Sequence, residues 1–269
     1  MHSSKPEVIE SVFQYISMWK VLTGDRPDAD LSDRPGLSMC WAGSRLPFWN
    51  AVFVTNPVAD SLLVEGRLRE AAAYMRAKRH RGILYLCEDH LTDAARQNLD
   101  AIVEDAGLAF RMEIIGMAGD MLPYGPTLRG ESPLEFRRVT DEAALLTFGE
   151  INAQSHGLGP EARCEGIAGS RFWRSTAFAF IGYENGHAVS TAAAIVNGGR
   201  LYVALVATVP HARRRGHGLA TVRHALQQAH QATGVTRAVV HTPSAGLPLC
   251  ARAGFQRTTR FLTYGLVAT

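Results

Sequence analysis

The stretch Val206-Ala-Thr-Val-Pro-His-Ala-Arg-Arg-Arg-Gly-His-Gly-Leu-Ala220 joins an apolar strand to an amphipathic helix through an arginine run and a Gly-x-Gly turn. Residues of these types in this order bind anions. Pro210 has no backbone N–H and stops the strand, while Gly216 and Gly218 permit a tight turn and close main-chain approach to a ligand. The first N–H groups of the following helix have no partners inside it, and the helix dipole adds partial positive charge there. A diphosphate at this point is favoured on both counts. Arg213, Arg214 and Arg215 add their own attraction.

The elements that must position this loop can be read on both sides of it. Leu134 to Val139 reads as a strand, and Thr140 followed by Asp141-Glu-Ala-Ala-Leu-Leu reads as a capped helix start, with the helix running to about Ser155. A shorter helix is expected around Glu165 to Arg174. Two strands, Thr176 to Tyr183 and His187 to Val196, flank Asn185-Gly186, and Asn197-Gly198-Gly199 repeats the turn before a strand from Leu201 to Val209. An antiparallel meander follows. Beyond the loop, Leu219, Val222, Leu226 and Ala229 share one helix face, Gly234 ends that helix, and Arg237 to Thr242 is a strand. The strand, helix, strand series implies a right-handed crossover that lays this strand parallel to Leu201 to Val209. A small helix at Leu247 to Ala253 and a strand from Phe255 to Leu266 close the chain.

Other phosphate loops lack a required residue here. A dinucleotide-binding fingerprint wants Gly or Ala where Thr221 stands and an acidic residue near Ala238 to His241, and a Walker loop wants Gly-Lys-Ser/Thr. The residues do resemble the GNAT superfamily of N-acetyltransferases, whose acetyl-CoA motif is Gln/Arg-x-x-Gly-x-Gly/Ala. Arg213, Gly216 and Gly218 match it, the element order from Leu134 to Leu266 agrees, and Leu249-Cys-Ala-Arg-Ala-Gly-Phe255 is similar to the family's Leu-Tyr-x-x-x-Gly-Phe ending.

The resemblance implies an α+β fold, a mixed and mostly antiparallel sheet flanked by helices. It implies acetyl transfer from acetyl-CoA to an amine, without a metal. Backbone groups of Val206, Ala207, Thr208 and Val209 would hold the pantetheine arm and polarise the thioester carbonyl. Amides of Arg214, Arg215, Gly216, His217, Gly218 and Leu219, with Arg213 beside them, would hold the pyrophosphate. The attacking amine must be neutral, so a base or water chain is expected to take its proton. Glu150, His156 and His187 are candidates, and His156 is the one chosen. Cys250 stands where many members carry the tyrosine that protonates the leaving thiolate, so it is the candidate acid or a small packing residue. That departure also motivates a rival reading, a non-catalytic acyl-CoA-binding or interaction protein with the same fold.

The acceptor is open among small amines, amino acids, antibiotics and peptide or protein amines. Asn152 to Arg174 would line its pocket; within it, Arg171-Phe-Trp-Arg174 is either a packed helix face or part of that lining.

At 269 residues, with 46% hydrophobic and 20% charged composition, the chain is of globular type and long enough for two domains. A boundary is expected in the turn-rich Asp120 to Pro133, giving domains 1–130 and 131–269. In the first half, Phe48 to Thr55, Val58 to Lys78, Gly82 to Leu86, Asp93 to Asp105 and Ala109 to Met117 repeat the strand, helix, strand, helix, strand order, but Asn56 to Asp60 has neither Gly-x-Gly nor arginine. If the halves are copies, the first has no visible diphosphate site, and its role is structural or that of a partner surface. Cys40, Cys87, Cys164 and Cys250 are dispersed without zinc or disulfide spacing, and His211, His217, His224 and His230 are not spaced as a helical metal pair. A net charge of +3 is too small to suggest nucleic-acid binding. The polar start and the absence of a long apolar run suggest a cytoplasmic protein without a membrane segment.

Overall fold

The computed structural model describes residues 5–58, 60–124, 134–159, 162 and 165–267. It divides into two compact units, Met1–Gly116 with Thr258–Thr269, and Met117–Arg257. This differs from a single boundary near residue 130. Residues 125–133 of the expected linker, like Cys164, lie outside the described residues.

The first unit begins with helix α1 (Lys5–Gly24), followed by strands β1 (Asp30–Arg34), β2 (Leu37–Trp41) and β3 (Asn50–Val54). Helix α2 (Ser61–Arg76) leads to β4 (Ile83–Cys87), two short helices α3 (Asp93–Gln97) and α4 (Leu99–Asp105) lead to β5 (Leu108–Asp120), and β11 (Gln256–Leu266) returns from the end of the chain. The strands β1, β2 and β3 pair antiparallel, β3 and β4 run parallel, and β11 is antiparallel to β4. Tyr15 of α1 meets Phe53, Tyr85 and Phe261 edge-on with ring centroids 5.3, 5.4 and 5.1 Å apart. Such aromatic pairs add about 0.5–1.5 kcal/mol each beyond the apolar area they bury. They fix α1 against the sheet. The helix expected from Asp93 to Asp105 is divided at Asn98, whose backbone is not helical.

The second unit contains β6 (Glu135–Arg138), α5 (Glu142–Ser155), α6 (Arg171–Ser175), β7 (Phe178–Glu184), β8 (His187–Asn197), β9 (Arg200–Thr208), α7 (His217–Thr233), β10 (Arg237–Pro243) and α8 (Leu247–Ala253). Asp141 caps α5, its carboxylate accepting from Ala144 N at 2.8 Å. The meander forms as expected: β6, β7, β8 and β9 pair antiparallel in sequence order, and β10 lies parallel to β9. Only the second half of the expected helix at 165–174 forms, as α6, which Ser170 caps. The expected final strand exists, but Thr258 onward belongs to the first unit. Among the described residues, no helix is long and apolar enough to cross a membrane.

His224 of α7 stacks on Phe136 at 4.2 Å and meets Phe180 edge-on at 4.6 Å. Burial pushes its imidazole pKa below the ordinary histidine value, and burial does the same to His90 and His156. The unfolded chain therefore binds protons that the folded chain refuses. Stability from this source is complete above the unfolded histidine pKa of about 6.5 and falls as pH drops below it. The expected result is a thermal midpoint that declines from about pH 7 to about pH 5.5. His224→Phe preserves the ring stack and reduces that decline, so an unchanged slope in the variant would contradict the assignment.

Candidate functional site

The loop of the second unit is an uncapped helix terminus. Helix α7 opens at Gly216, whose φ of +85° is left-handed, and among the described residues no side chain caps its first amides. A Cβ at Gly216 would meet no atom of the described residues within 4 Å, so they leave space open at the turn. The corresponding terminus in the first unit is closed: Asp60 caps α2, its carboxylate accepting from Leu63 N at 2.8 Å. An anion would meet a carboxylate there and free N–H groups at α7.

The arginines differ in what they hold. Arg213 donates through Nε to Thr208 O at 3.2 Å and through Nη2 to Ser155 O at 2.6 Å, bracing the end of β9 against the end of α5. Arg215 pairs with Glu184 at 3.2 Å. Arg214, at φ +63°, has no side-chain partner among the described residues. Its guanidinium is the one available to a phosphate. The amide of His217 opens α7, while its ring is buried with Nε2 3.2 Å from Glu184 Oε1, out of hydrogen-bond alignment. Arg213→Ala should lower the thermal midpoint measurably, because a typical hydrogen bond contributes about 0.5–1.5 kcal/mol. Coenzyme A affinity should fall only severalfold in a titration, and a loss above about a hundredfold, some 2.7 kcal/mol, would show direct phosphate contact instead.

Strands β9 and β10 part beside this loop. Their register runs Leu201↔Ala238, Tyr202↔Val239 and Val203↔Val240, and stops there, although β9 continues to Thr208 and β10 to Pro243. On its other side β9 stays attached, with Val209 N donating to Val189 O at 3.0 Å. The segment 204–209 thus presents one backbone edge to a gap that ends at the α7 terminus. Val206 and Thr208 are half-buried along it, and Ala207 and Val209 are buried.

The strand is also bulged there. Thr191 pairs with Ala207 and Ala193 with Ala204, so Leu205 and Val206 together oppose Ala192. Leu205 has φ +50°, a left-handed conformation costing a non-glycine residue about 1–2 kcal/mol. Thr191 Oγ1 donates to Leu205 O at 2.9 Å, and Asn152 Nδ2 donates to Thr191 Oγ1 at 3.0 Å and to Phe148 O at 2.9 Å. Because the Thr191 proton goes to Leu205 and Phe148 offers only a carbonyl, the amide orientation of Asn152 is fixed. Its Oδ1 is buried without a partner among the described residues, an arrangement costing about 1–3 kcal/mol. Sequence reasoning missed this network, since a bulge built on Leu-Val carries no glycine signal.

His156 ends α5 beside Arg213. The residue is solvent-exposed overall, yet desolvation of its ring first, and then the Arg213 charge, hold its pKa below the ordinary value, so the ring is neutral at physiological pH. Glu150 is exposed and accepts from Gln154 Nε2 at 3.3 Å, and His187 is exposed at the β7–β8 hairpin. The Cys250 thiol of α8 is 5% exposed, and burial pushes its pKa to about 11. Protonating a leaving thiolate of ordinary pKa, about 8.5, would then be uphill by on the order of 3 kcal/mol. That weighs against Cys250 as the acid. Tyr124, in the stretch expected to be a linker, also reaches α8, donating to Ala253 O at 3.1 Å. Burial raises its pKa to about 12.

With this geometry in view, residues 149–255 match the acetyltransferase (GNAT) family. The fold is similar to that of a GCN5-related N-acetyltransferase from Kribbella flavida, at 16% identity over 96% of each chain with a TM-score of 0.68. A GCN5-related N-acetyltransferase from Sphaerobacter thermophilus is similar at 15% identity, 98% of this chain and 94% of that one, with a TM-score of 0.60. An acetyltransferase of the same family from Novosphingobium aromaticivorans is similar at 14% identity, 96% of this chain and 97% of that one, with a TM-score of 0.56. No curated protein sequence matches the chain.

Proposed function

We propose that this chain, whose residues 149–255 match the acetyltransferase (GNAT) family, transfers an acetyl group from acetyl-CoA to an amine. The observation that carries the reading is the uncapped α7 terminus at open Gly216, placed where β9 and β10 part. Acetyl-CoA is an anion at one end and a thioester on a slender arm at the other. A free helix terminus suits the first, and a gap edged by backbone suits the second.

The residues then take these roles. Amides from Arg214 to Leu219 bind the diphosphate, with the Arg214 guanidinium alongside. The edge from Val206 to Val209 orients the arm and offers hydrogen bonds to the thioester carbonyl, where negative charge grows during attack. His156, kept neutral by its surroundings, accepts the proton of the incoming amine. Coenzyme A leaves as a thiolate, which needs less help than an alkoxide, and Cys250 packs α8.

The test is release of free thiol from acetyl-CoA by the whole chain across amino acids, polyamines, amine-bearing antibiotics and peptides with free N-termini or lysines. Acceptor-dependent release is the expected result. Tight coenzyme A binding with no release on any acceptor would favour a non-catalytic acyl-CoA-binding protein instead.

A further inference from the structure

The bulge at Leu205-Val206 lies in the part of β9 that faces the gap, and its geometry is maintained by side chains from two other elements. Thr191 of β8 binds the Leu205 carbonyl, and Asn152 of α5 binds Thr191 while anchored to Phe148 O of its own helix. Both side chains are buried, Thr191 fully and Asn152 to 9% exposure. They leave the Leu205 carbonyl turned toward the α5 side, in a backbone conformation that leucine rarely adopts. A leucine in place of Asn152 would fill similar space without the orphaned Oδ1. Asn152 therefore carries an unfavourable group whose visible return is the bond to Thr191.

We infer that Asn152 and Thr191 are positioning residues that fix the Leu205-Val206 bulge, and through it the direction in which β9 presents its backbone to the reacting carbonyl. The inference rests on the acetyl-transfer reading above. Neither residue belongs to the diphosphate loop, which starts beyond Val209. Their loss should therefore affect the chemical step more than donor binding.

The experiment compares wild type, Thr191→Val, Thr191→Ser and Asn152→Leu. It measures kcat, KM for acetyl-CoA, the thermal midpoint and hydrogen exchange over residues 203–208. Thr191→Val should lower kcat about tenfold or more, with KM within about threefold and faster exchange in 203–208. Thr191→Ser, which keeps the hydroxyl, should recover kcat to within about twofold. If Thr191→Val does not fold, Asn152→Leu carries the same expectation. Unchanged kcat and unchanged exchange in a folded variant would overturn the inference, as would a kcat loss that Thr191→Ser fails to restore. A wild-type chain that turns over acetyl-CoA while the variants match it defeats the inference alone. A wild-type chain that neither binds nor uses acetyl-CoA defeats the acetyl-transfer reading, and the inference with it.

Discussion

Gly216→Asp should abolish measurable coenzyme A binding while leaving the chain folded. A Cβ at position 216 meets no atom of the described residues within 4 Å, so the obstacle to the substitution is backbone conformation, at φ +85°. Aspartate tolerates that region better than most residues, and a carboxylate at a helix start contributes about 0.5–2 kcal/mol as a cap. The two effects nearly offset. The variant would then carry a carboxylate at its helix start as α2 does, where Asp60, on an extended instead of a left-handed backbone, accepts from Leu63 N. A capped terminus has fewer donors for a diphosphate and a negative charge where the ligand's charge must sit. Losing two charge-assisted bonds at about 1.5–3 kcal/mol each lowers affinity by at least about a hundredfold. Gly216→Asn, with the same shape and no charge, should lie between the variant and wild type. Titration calorimetry with coenzyme A decides the matter, and wild-type affinity in Gly216→Asp would remove the diphosphate assignment.

Gly218→Val should act by crowding instead of charge. A Cβ at Gly218 would lie 2.9 Å from Leu249 Cδ1 and 3.0 Å from Thr208 Oγ1, so α7 approaches both β9 and α8 at this residue. Gly218→Ala can be absorbed by small side-chain shifts, and the gain of about 0.5–1 kcal/mol in helix propensity compensates for them. The branched valine cannot be absorbed in this way. Overpacking of this kind costs about 1–3 kcal/mol, and it moves the α7 terminus relative to the end of β9. Thermal midpoint and coenzyme A affinity should therefore fall together in Gly218→Val, the affinity by about tenfold or more. In Gly218→Ala both should stay near wild type. A valine variant with normal affinity and a lowered midpoint would show that this close contact serves packing alone.

How far the sequence reached depended on whether each feature had a local cause. The α7 turn, the Asn185-Gly186 hairpin and the Gly234 helix end are set by residues within a few positions. They were readable for that reason. The parallel β9–β10 pairing followed from the handedness of crossovers, a rule that needs only element order. Pairing partners at a distance had no such cue. Nothing in Gln256 to Leu266 distinguishes a strand that joins β4 from one that stays in its own half, and α1, β1 and β2 have no counterpart in the sequence analysis. The open α7 turn was legible because Gly216 sets its backbone locally. The bulge was not, because Thr191 and Asn152 meet Leu205 only after the sheet has formed.

The placement of β11 orders events during synthesis. The sheet of the first unit is completed by a strand that the ribosome delivers only after residues 117–257. At roughly 5–20 residues per second, β4 waits on the order of ten seconds or more with one edge unpaired. An open edge is a template for wrong partners. The second unit, whose residues are continuous along the chain, can form during that interval, so the unit carrying the α7 turn can take shape before the unit that precedes it in sequence is finished.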